Sequence, residues 1–226
     1  MNIAGQFITI EGGEGTGKSL QIELLKEEFT RLAIPSLFTR EPGGTPFGEE
    51  LRAILLNKKG AKREPLSELL LYLADRYQHL KEVIEPALKE ERVVICDRYH
   101  DATLVYQGHA RGLGFEIVES LADLLGIRQP DLTLVLDLEV EVALPRARLR
   151  NQTDGTGALG RFEDEDQDFH RKIREGYRLL SERYPDRLVV IPAQGNPEEV
   201  LRRILDVLEN RYQLTFSHAD KRLYRQ

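Results

Sequence analysis

Gly12-Gly13-Glu14-Gly15-Thr16-Gly17-Lys18-Ser19 is the stretch on which the reading of this chain turns. It fits a glycine, four variable positions, then Gly-Lys followed by Ser or Thr. The apolar run Phe7–Ile10 precedes it and a helical pattern follows, the context such a loop requires. Glycines let successive backbone N–H groups turn inward on phosphate oxygens without Cβ clashes. The N-terminus of the following helix adds partial positive charge. Lys18 then reaches β- and γ-phosphates, and the Ser19 hydroxyl ligates Mg2+. The prediction is nucleoside-triphosphate binding through Gly12, Gly13, Glu14, Gly15, Thr16, Gly17, Lys18 and Ser19. The loop alone does not say what receives the phosphate.

Outward from the loop, apolar runs alternate with helical patterns, as in βαβ units with a parallel sheet. Strands are expected at Phe7–Ile10, Ser36–Thr39, Val93–Asp97, Leu132–Leu138 and Leu188–Ile191, nearly all-apolar and so covered on both faces. Leu20, Leu24, Leu25, Phe29 and Leu32 outline a first helix. Leu66, Leu69, Leu70, Leu73, Tyr77, Leu80 and Ile84 outline a longer one whose last turn meets Pro86. Later stripes are Phe115-Val118-Leu121-Leu125 and Val200-Leu201-Ile204-Leu208. The expected fold is α/β: three layers, with a five-stranded parallel sheet between helices and a mobile lid. Thr39–Phe47, with two prolines and two glycines, and Thr153–Gly160 read as irregular loops, the second as a flap. Loops beyond strand ends are where such folds carry chemistry.

The 226 residues are 41% hydrophobic, enough for one domain, and no linker or repeat divides them. We expect a single domain over 1–226, with a lid at about 146–161 and a tail from 213 that includes a frayed helix. No apolar run approaches the ~20 residues that span a bilayer. The start lacks a basic, apolar leader pattern, so cytoplasm is the default location. The single Cys96, inside Val93-Val94-Ile95-Cys96, reads as a core thiol. A net charge of −6 argues against nucleic-acid or membrane-surface partners. Within that acidic chain Arg146, Arg148 and Arg150 crowd together, with Arg161 beyond, which suits a small anionic ligand. The histidines show no metal-ligand spacing.

GTPase markers fail. Asn57-Lys58-Lys59-Gly60 lacks the final Asp of NKxD, and Asp123-Leu124-Leu125-Gly126 reads as a helix end with a glycine cap rather than a DxxG switch. A phosphotransferase that binds two anionic nucleotides remains. Thr39-Arg40-Glu41-Pro42-Gly43-Gly44-Thr45 resembles the TREPGGT signature of thymidylate kinases, Asp97-Arg98-Tyr99 that family's Asp-Arg motif with Tyr or His, and Arg146-Ala147-Arg148-Leu149-Arg150 the arginine-rich lid of its bacterial type. The motifs fall in family order between about residues 5 and 212.

Arg40 and Arg98, each leaving a strand tip near the loop, suit a bidentate clamp on a 5′-phosphate; the resemblance gives them that role on dTMP. Asp97 ends an apolar strand, where holding Mg2+ through water is one reading and orienting an arginine another. Glu14 places a negative charge in a phosphate cradle, a cost that suggests function; the resemblance implies contact with the acceptor's 3′-hydroxyl. Tyr72 and Arg76, four apart, share one side of their helix off the leucine stripe. A tyrosine so placed is more often core, but the resemblance implies that Tyr72 stacks on thymine, where many relatives carry Phe, and that Arg76 bonds its O4.

The resemblance further implies that Thr103 and Gln107 fix the base and that Tyr106 lies under the deoxyribose, all three on a short helical patch. By order Arg150 is the lid arginine that reaches the transferring phosphoryl, and Arg146 or Arg148 covers the adenine or phosphates of ATP. Gly15 stands where eukaryote-like relatives carry an arginine, so the lid must supply it. Pro145 is expected to interrupt the lid helix. The implied reaction is transfer of the ATP γ-phosphoryl to dTMP with Mg2+, in a homodimer. A kinase of another nucleoside monophosphate and a catalytically silent P-loop protein are the alternatives.

Overall fold

The computed structural model describes residues 3–58, 61–153 and 161–216, with the backbone alone at 150–153. The described residues form a parallel sheet of β1 (Phe7–Gly12), β2 (Ser36–Arg40), β3 (Val93–Asp97), β4 (Leu132–Asp137) and β5 (Leu188–Pro192), in the order β2-β3-β1-β4-β5. The expected strands are all present, each within two residues of its predicted ends. β1 is central, pairing with β3 through Phe7↔Val94 and with β4 through Ile8↔Leu132. Every strand therefore points its C-terminal end to one edge, and the order reverses beside β1, where such sheets bind ligands.

Alternation along the strands splits the core into layers. Ile8, Ile10, Val93, Ile95, Leu132 and Leu134 face α1 (Lys18–Arg31) and α9 (Pro197–Tyr212), meeting Leu25, Phe29, Ile204 and Leu208. Phe7, Val94 and Cys96 face the other way, against Leu80, Ile84 and Ala122. Burying one such side chain contributes about 1.5–3 kcal/mol. Cys96 is buried, and burial pushes its thiol well up, as a core thiol requires. α9 opens with Asn196 and Glu199 capping each other's backbone N–H groups.

Four expectations need correction. The long helix does not stop at Pro86: α3 (Pro65–His79) runs through a π turn at Leu80–Ile84 into α4 (Glu85–Lys89). Proline cannot donate to the ladder, and a wide turn just before it gives its ring room. Leu66, Leu70 and Tyr77 of the predicted stripe are exposed, because the buried face is turned toward Leu69, Tyr72, Leu73 and Arg76. Pro145 does not interrupt α7 (Val140–Thr153); the turn begins with Ala143 N–H bonded to the Glu139 carbonyl, and proline removes one further bond. Phe216 is not part of a frayed polar tail. It is buried against Phe29, 6.1 Å between ring centroids, and closes the α1–α9 layer. Residues 217–226 lie outside the described residues.

The helix-end reading of Asp123–Gly126 holds: α6 (Phe115–Leu124) ends there, with Gly126 at φ +63°. No run at Pro46–Leu56 was expected to be helical, yet α2 forms there, capped by the Thr45 hydroxyl accepting from Gly48 N–H at 2.9 Å. Among the described residues the remaining helices are α5 (His100–Thr103), a π segment at Leu104–Ala110, a 3-10 turn at Arg161–Asp164 and α8 (Gln167–Arg183).

Candidate active site

Beyond the C-terminal ends of β1, β2 and β3 opens a cleft of about 480 Å3. Glu14, Gly15, Lys18 and Ser19 line one end; Arg40, Asp97 and Arg98 line the middle; Tyr72, Arg76, Thr103, Tyr106 and Gln107 line the other. Phe162 and Glu163 complete the lining, so residues from Glu14 to Glu163 share one concavity, with a phosphate cradle at one end and an aromatic, amide-bearing wall at the other.

The cradle forms where β1 turns into α1. Gly12, at φ +136°, lies so close to β4 that a Cβ would stand 2.5 Å from the Leu136 carbonyl oxygen. Gly17, at φ +94°, precedes the first turn of α1. The Lys18 ammonium bonds the Gly12 and Gly13 carbonyls at 3.0 and 2.7 Å. Burial and the neighbouring Arg98 push it down to about 8. Thr16 is buried and donates to the Gly13 carbonyl, holding the loop, while Ser19 is exposed to the cleft. Gly15 lies under α7: at φ +76°, a Cβ there would sit 1.9 Å from the Ala143 carbonyl oxygen. An arginine cannot occupy that position with α7 where it is.

Arg98 sits where the cradle meets the acceptor end. Its guanidinium donates to the Gly12 carbonyl at 3.0 Å and to Glu14 Oε1 at 2.9 Å, and lies 5.0 Å from the centroid of the Tyr106 ring. Its φ of +65° costs on the order of 1 kcal/mol. Glu11 holds the backbone beyond it, accepting from Tyr99 and Ala102 N–H at 2.8 and 3.2 Å and from the Tyr177 hydroxyl at 2.7 Å. Burial pushes the Glu11 carboxyl up to about 7, against the pull of Arg98. Sequence reasoning missed Glu11, although a carboxylate ending the apolar run Phe7–Ile10 was a signal.

Glu14 is not an isolated charge in the cradle. Burial would raise its carboxyl, but Arg98, His170, Lys18 and Tyr106 together hold it well below the usual carboxylate range. The Tyr106 hydroxyl donates to it at 2.7 Å and His170 Nδ1 lies 3.5 Å away. Among the described residues, Asp97 Oδ1 is buried without a protein partner. Arg40 is exposed and paired with Glu49 at 2.9 Å.

The far wall is built by α3, by the end of α5, where Thr103 is buried, and by the π segment, where Tyr106 and Gln107 are buried. Their patch is therefore a wider helix than the spacing suggested. Gln107 donates to Glu68 Oε1 at 2.8 Å, and Glu68 also pairs with Arg161. Glu68 was missed too; it stands at the head of the 68, 72, 76 series of α3, one face at i, i+4, i+8. Arg76 is 1% exposed, donating from Nε to Glu41 Oε2 and from Nη2 to the Tyr99 carbonyl, both at 2.9 Å. Its Nη1 is buried with no protein partner among the described residues.

The lid residues stand apart. Arg146 and Arg148 are exposed on α7 and do not line the cleft; Arg148 bonds the Glu163 carbonyl at 3.4 Å. The side chain of Arg150 and the flap at 154–160 lie outside the described residues. Arg161 is tied to the Leu55 carbonyl and Glu68, closing the lid segment onto α2 and α3. Among the described residues no cluster of three metal-ligating side chains occurs, and no helix is long and apolar enough to cross a membrane.

A family model described as thymidylate kinase matches residues 10–204. A thymidylate kinase of Geobacter sp. (strain M21) is 45% identical over 210 residues, covering 92% of this chain and 93% of the relative. That of Syntrophotalea carbinolica is 47% identical over 199 residues, covering 88% and 92%. The crystal structure of thymidylate kinase from Ehrlichia chaffeensis is similar with a TM-score of 0.71 and 31% identity, over 90% of this chain and 98% of that one.

Proposed function

The chain belongs to the thymidylate kinase family, and on that premise we propose how its own residues divide the work. The enzyme transfers the γ-phosphoryl of ATP to dTMP, giving ADP and dTDP. An oxygen of the acceptor phosphate attacks the γ-phosphorus, and the bond from that phosphorus to the bridging oxygen of ADP breaks. No general base is needed, so the task is charge stabilisation and exclusion of water.

The observation that carries the assignment is one cleft holding both Lys18 and the Tyr72–Arg76–Gln107 wall, with Arg98 between them. Lys18 and the N–H groups of Gly12–Ser19 bind the ATP phosphates. Arg98, bonded to the cradle's own Gly12 carbonyl, clamps the dTMP phosphate together with Arg40. Glu14 accepts from the 3′-hydroxyl while holding Arg98. Tyr106 lies under the sugar, Tyr72 stacks on thymine, Thr103 and Gln107 fix the base, and Arg76 donates to O4. The unpaired, buried Nη1 of Arg76 supports that last role, since a buried donor without an acceptor is costly. Arg150 stabilises the transferring phosphoryl, with Arg146 or Arg148 over ATP.

Asp97 and Ser19 would hold Mg2+: Asp97 Oδ1 is an orphaned buried oxygen, and the Ser19 hydroxyl opens on the same cleft. The ion would supply neutralisation of the phosphate charge. We assign the enzyme to the cytoplasm, where its donor ATP is available. We also propose a homodimer through α2 and α3. Phe47 and Ile54 on one helix, and Leu66, Leu70 and Tyr77 on the other, form exposed apolar stripes that favour a partner.

The test is acceptor-dependent ADP release with dTMP, dUMP, UMP, dCMP, AMP and GMP. Preference for dTMP, lost in Lys18→Ala, is expected. Preference for another monophosphate would overturn the base-site roles while leaving the kinase.

A further inference from the structure

In the sequence Thr39–Thr45 only Arg40 had a role, yet two of its neighbours are more deeply engaged than Arg40 itself. Glu41 is buried at the end of β2 and sits between two side chains of α3. Its Oε2 accepts from Arg76 Nε at 2.9 Å, and its Oε1 lies 2.9 Å from His79 Nδ1. A carboxylate only accepts, so Nδ1 carries the hydrogen of that bond. On the far side of the ring, Nε2 lies 2.7 Å from the Thr39 hydroxyl. The chain Thr39–His79–Glu41–Arg76 therefore leaves β2, crosses to α3, and returns through the loop to α3.

Arg76 has five N–H donors in a rigid fork. Glu41 takes the one on Nε, and the Tyr99 carbonyl takes one on Nη2. The Tyr99 ring lies 5.0 Å from the guanidinium carbon. These contacts fix the plane of the fork and leave Nη1 as its free nitrogen. Asp75, the other acid nearby, spends one oxygen on Gly43 N–H at 3.0 Å and holds the glycine turn instead.

We propose that Glu41, itself oriented by His79 and Thr39, is a positioning residue that aims Arg76 and so sets the enzyme's discrimination between pyrimidine bases. The inference rests on Arg76 reading O4. A guanidinium donates and cannot accept. It therefore suits the 4-oxo group of thymine and opposes the 4-amino group of cytosine, provided that its plane is held. A fork free to rotate keeps its charge but loses that contrast. The positions of the two partners are far apart in sequence, so the effect belongs to the tertiary contact and not to the motif as a string.

The experiment compares kcat/KM for dTMP and dCMP, and KM for ATP, in the wild type and in Glu41→Gln, Thr39→Val and Arg76→Lys. In Glu41→Gln the side-chain amide can accept from Arg76 or from His79 but not both. The dTMP preference is expected to fall about tenfold, the worth of one buried hydrogen bond, through KM for dTMP and with KM for ATP unchanged. Thr39→Val, cut at the far end of the chain, is expected to move the same ratio by about two- to threefold; if Glu41→Gln does not fold, this variant decides. An equal loss for both acceptors with a raised KM for ATP would mean only a structural role and overturn the inference. Preference kept in Glu41→Gln and Thr39→Val but lost in Arg76→Lys would overturn the positioning role and leave base reading intact. Preference kept in Arg76→Lys would overturn base reading, and the inference with it.

Discussion

The acceptor wall of the cleft and the arginines of α7 are built on opposite principles. At the acceptor end, Tyr72, Arg76, Thr103, Tyr106 and Gln107 are all buried, and the hydrogen bonds of Arg76, Tyr106 and Gln107 to Glu41, Glu14 and Glu68 set them before any nucleotide arrives. On α7, by contrast, Arg146 and Arg148 stand exposed and do not line the cleft. The first arrangement is a template whose ordering cost is met in folding. On the proposed roles the second is assembled when ATP binds, which suits a group needed only for the transition state.

The largest expected effect tests that division. Arg150→Ala should lower kcat by on the order of 10³-fold, as loss of a phosphoryl-stabilising arginine does, with KM for dTMP nearly unchanged. Steady-state kinetics decide; an equal rise in KM for dTMP would place Arg150 in acceptor binding and blur the contrast.

Gly15→Ala should come next. Its Cβ would press on the Ala143 carbonyl and displace the first turns of α7, with every lid arginine downstream of them. A fall in kcat on the order of 10²-fold is expected, matching an ångström-scale misplacement. Unchanged turnover would mean that α7 leaves this seat during the reaction.

A pH profile sharpens the donor end alone. Lys18 is pushed down to about 8, so its charge is complete below that pH and is lost above it. kcat/KM for ATP should fall about tenfold per pH unit once the pH passes 8. A flat profile to pH 10 would show a fully charged Lys18 throughout. Least disturbing to chemistry is Leu66→Glu with Leu70→Glu, on the outer face of α3. Sedimentation should report a monomer in place of a dimer, with the acceptor preference retained; an unchanged dimer would move the interface elsewhere.

What the sequence disclosed follows the range of each interaction. The P-loop is eight contiguous residues and its geometry is local, so it was readable whole. β1, β3 and β4 were visible because both faces are covered and the runs are almost purely apolar, whereas the edge strands β2 and β5 are only partly covered, against the expectation for all five. Tyr72 and Arg76 were found as a pair because four residues along a helix is a short-range rule. The same rule extended one turn back would have reached Glu68. The Glu41–Arg76 pair spans 35 residues and two elements, and only the sheet order and the seating of α3 bring it together. Likewise the π turns at Leu80–Ile84 and Leu104–Ala110 answer to packing and to Pro86, which no hydrophobic period records.

The central place of β1 has a consequence for how the protein comes to exist. Its pairing residues Phe7 and Ile8 leave the ribosome well before their partners Val94 and Leu132. At about 5–20 residues per second, the strand waits roughly 6–25 s for its second neighbour to be translated. Until then the nucleotide-binding loop that β1 ends in has no wall behind it, and an apolar segment must be shielded. The loop is thus made long before it can be a site.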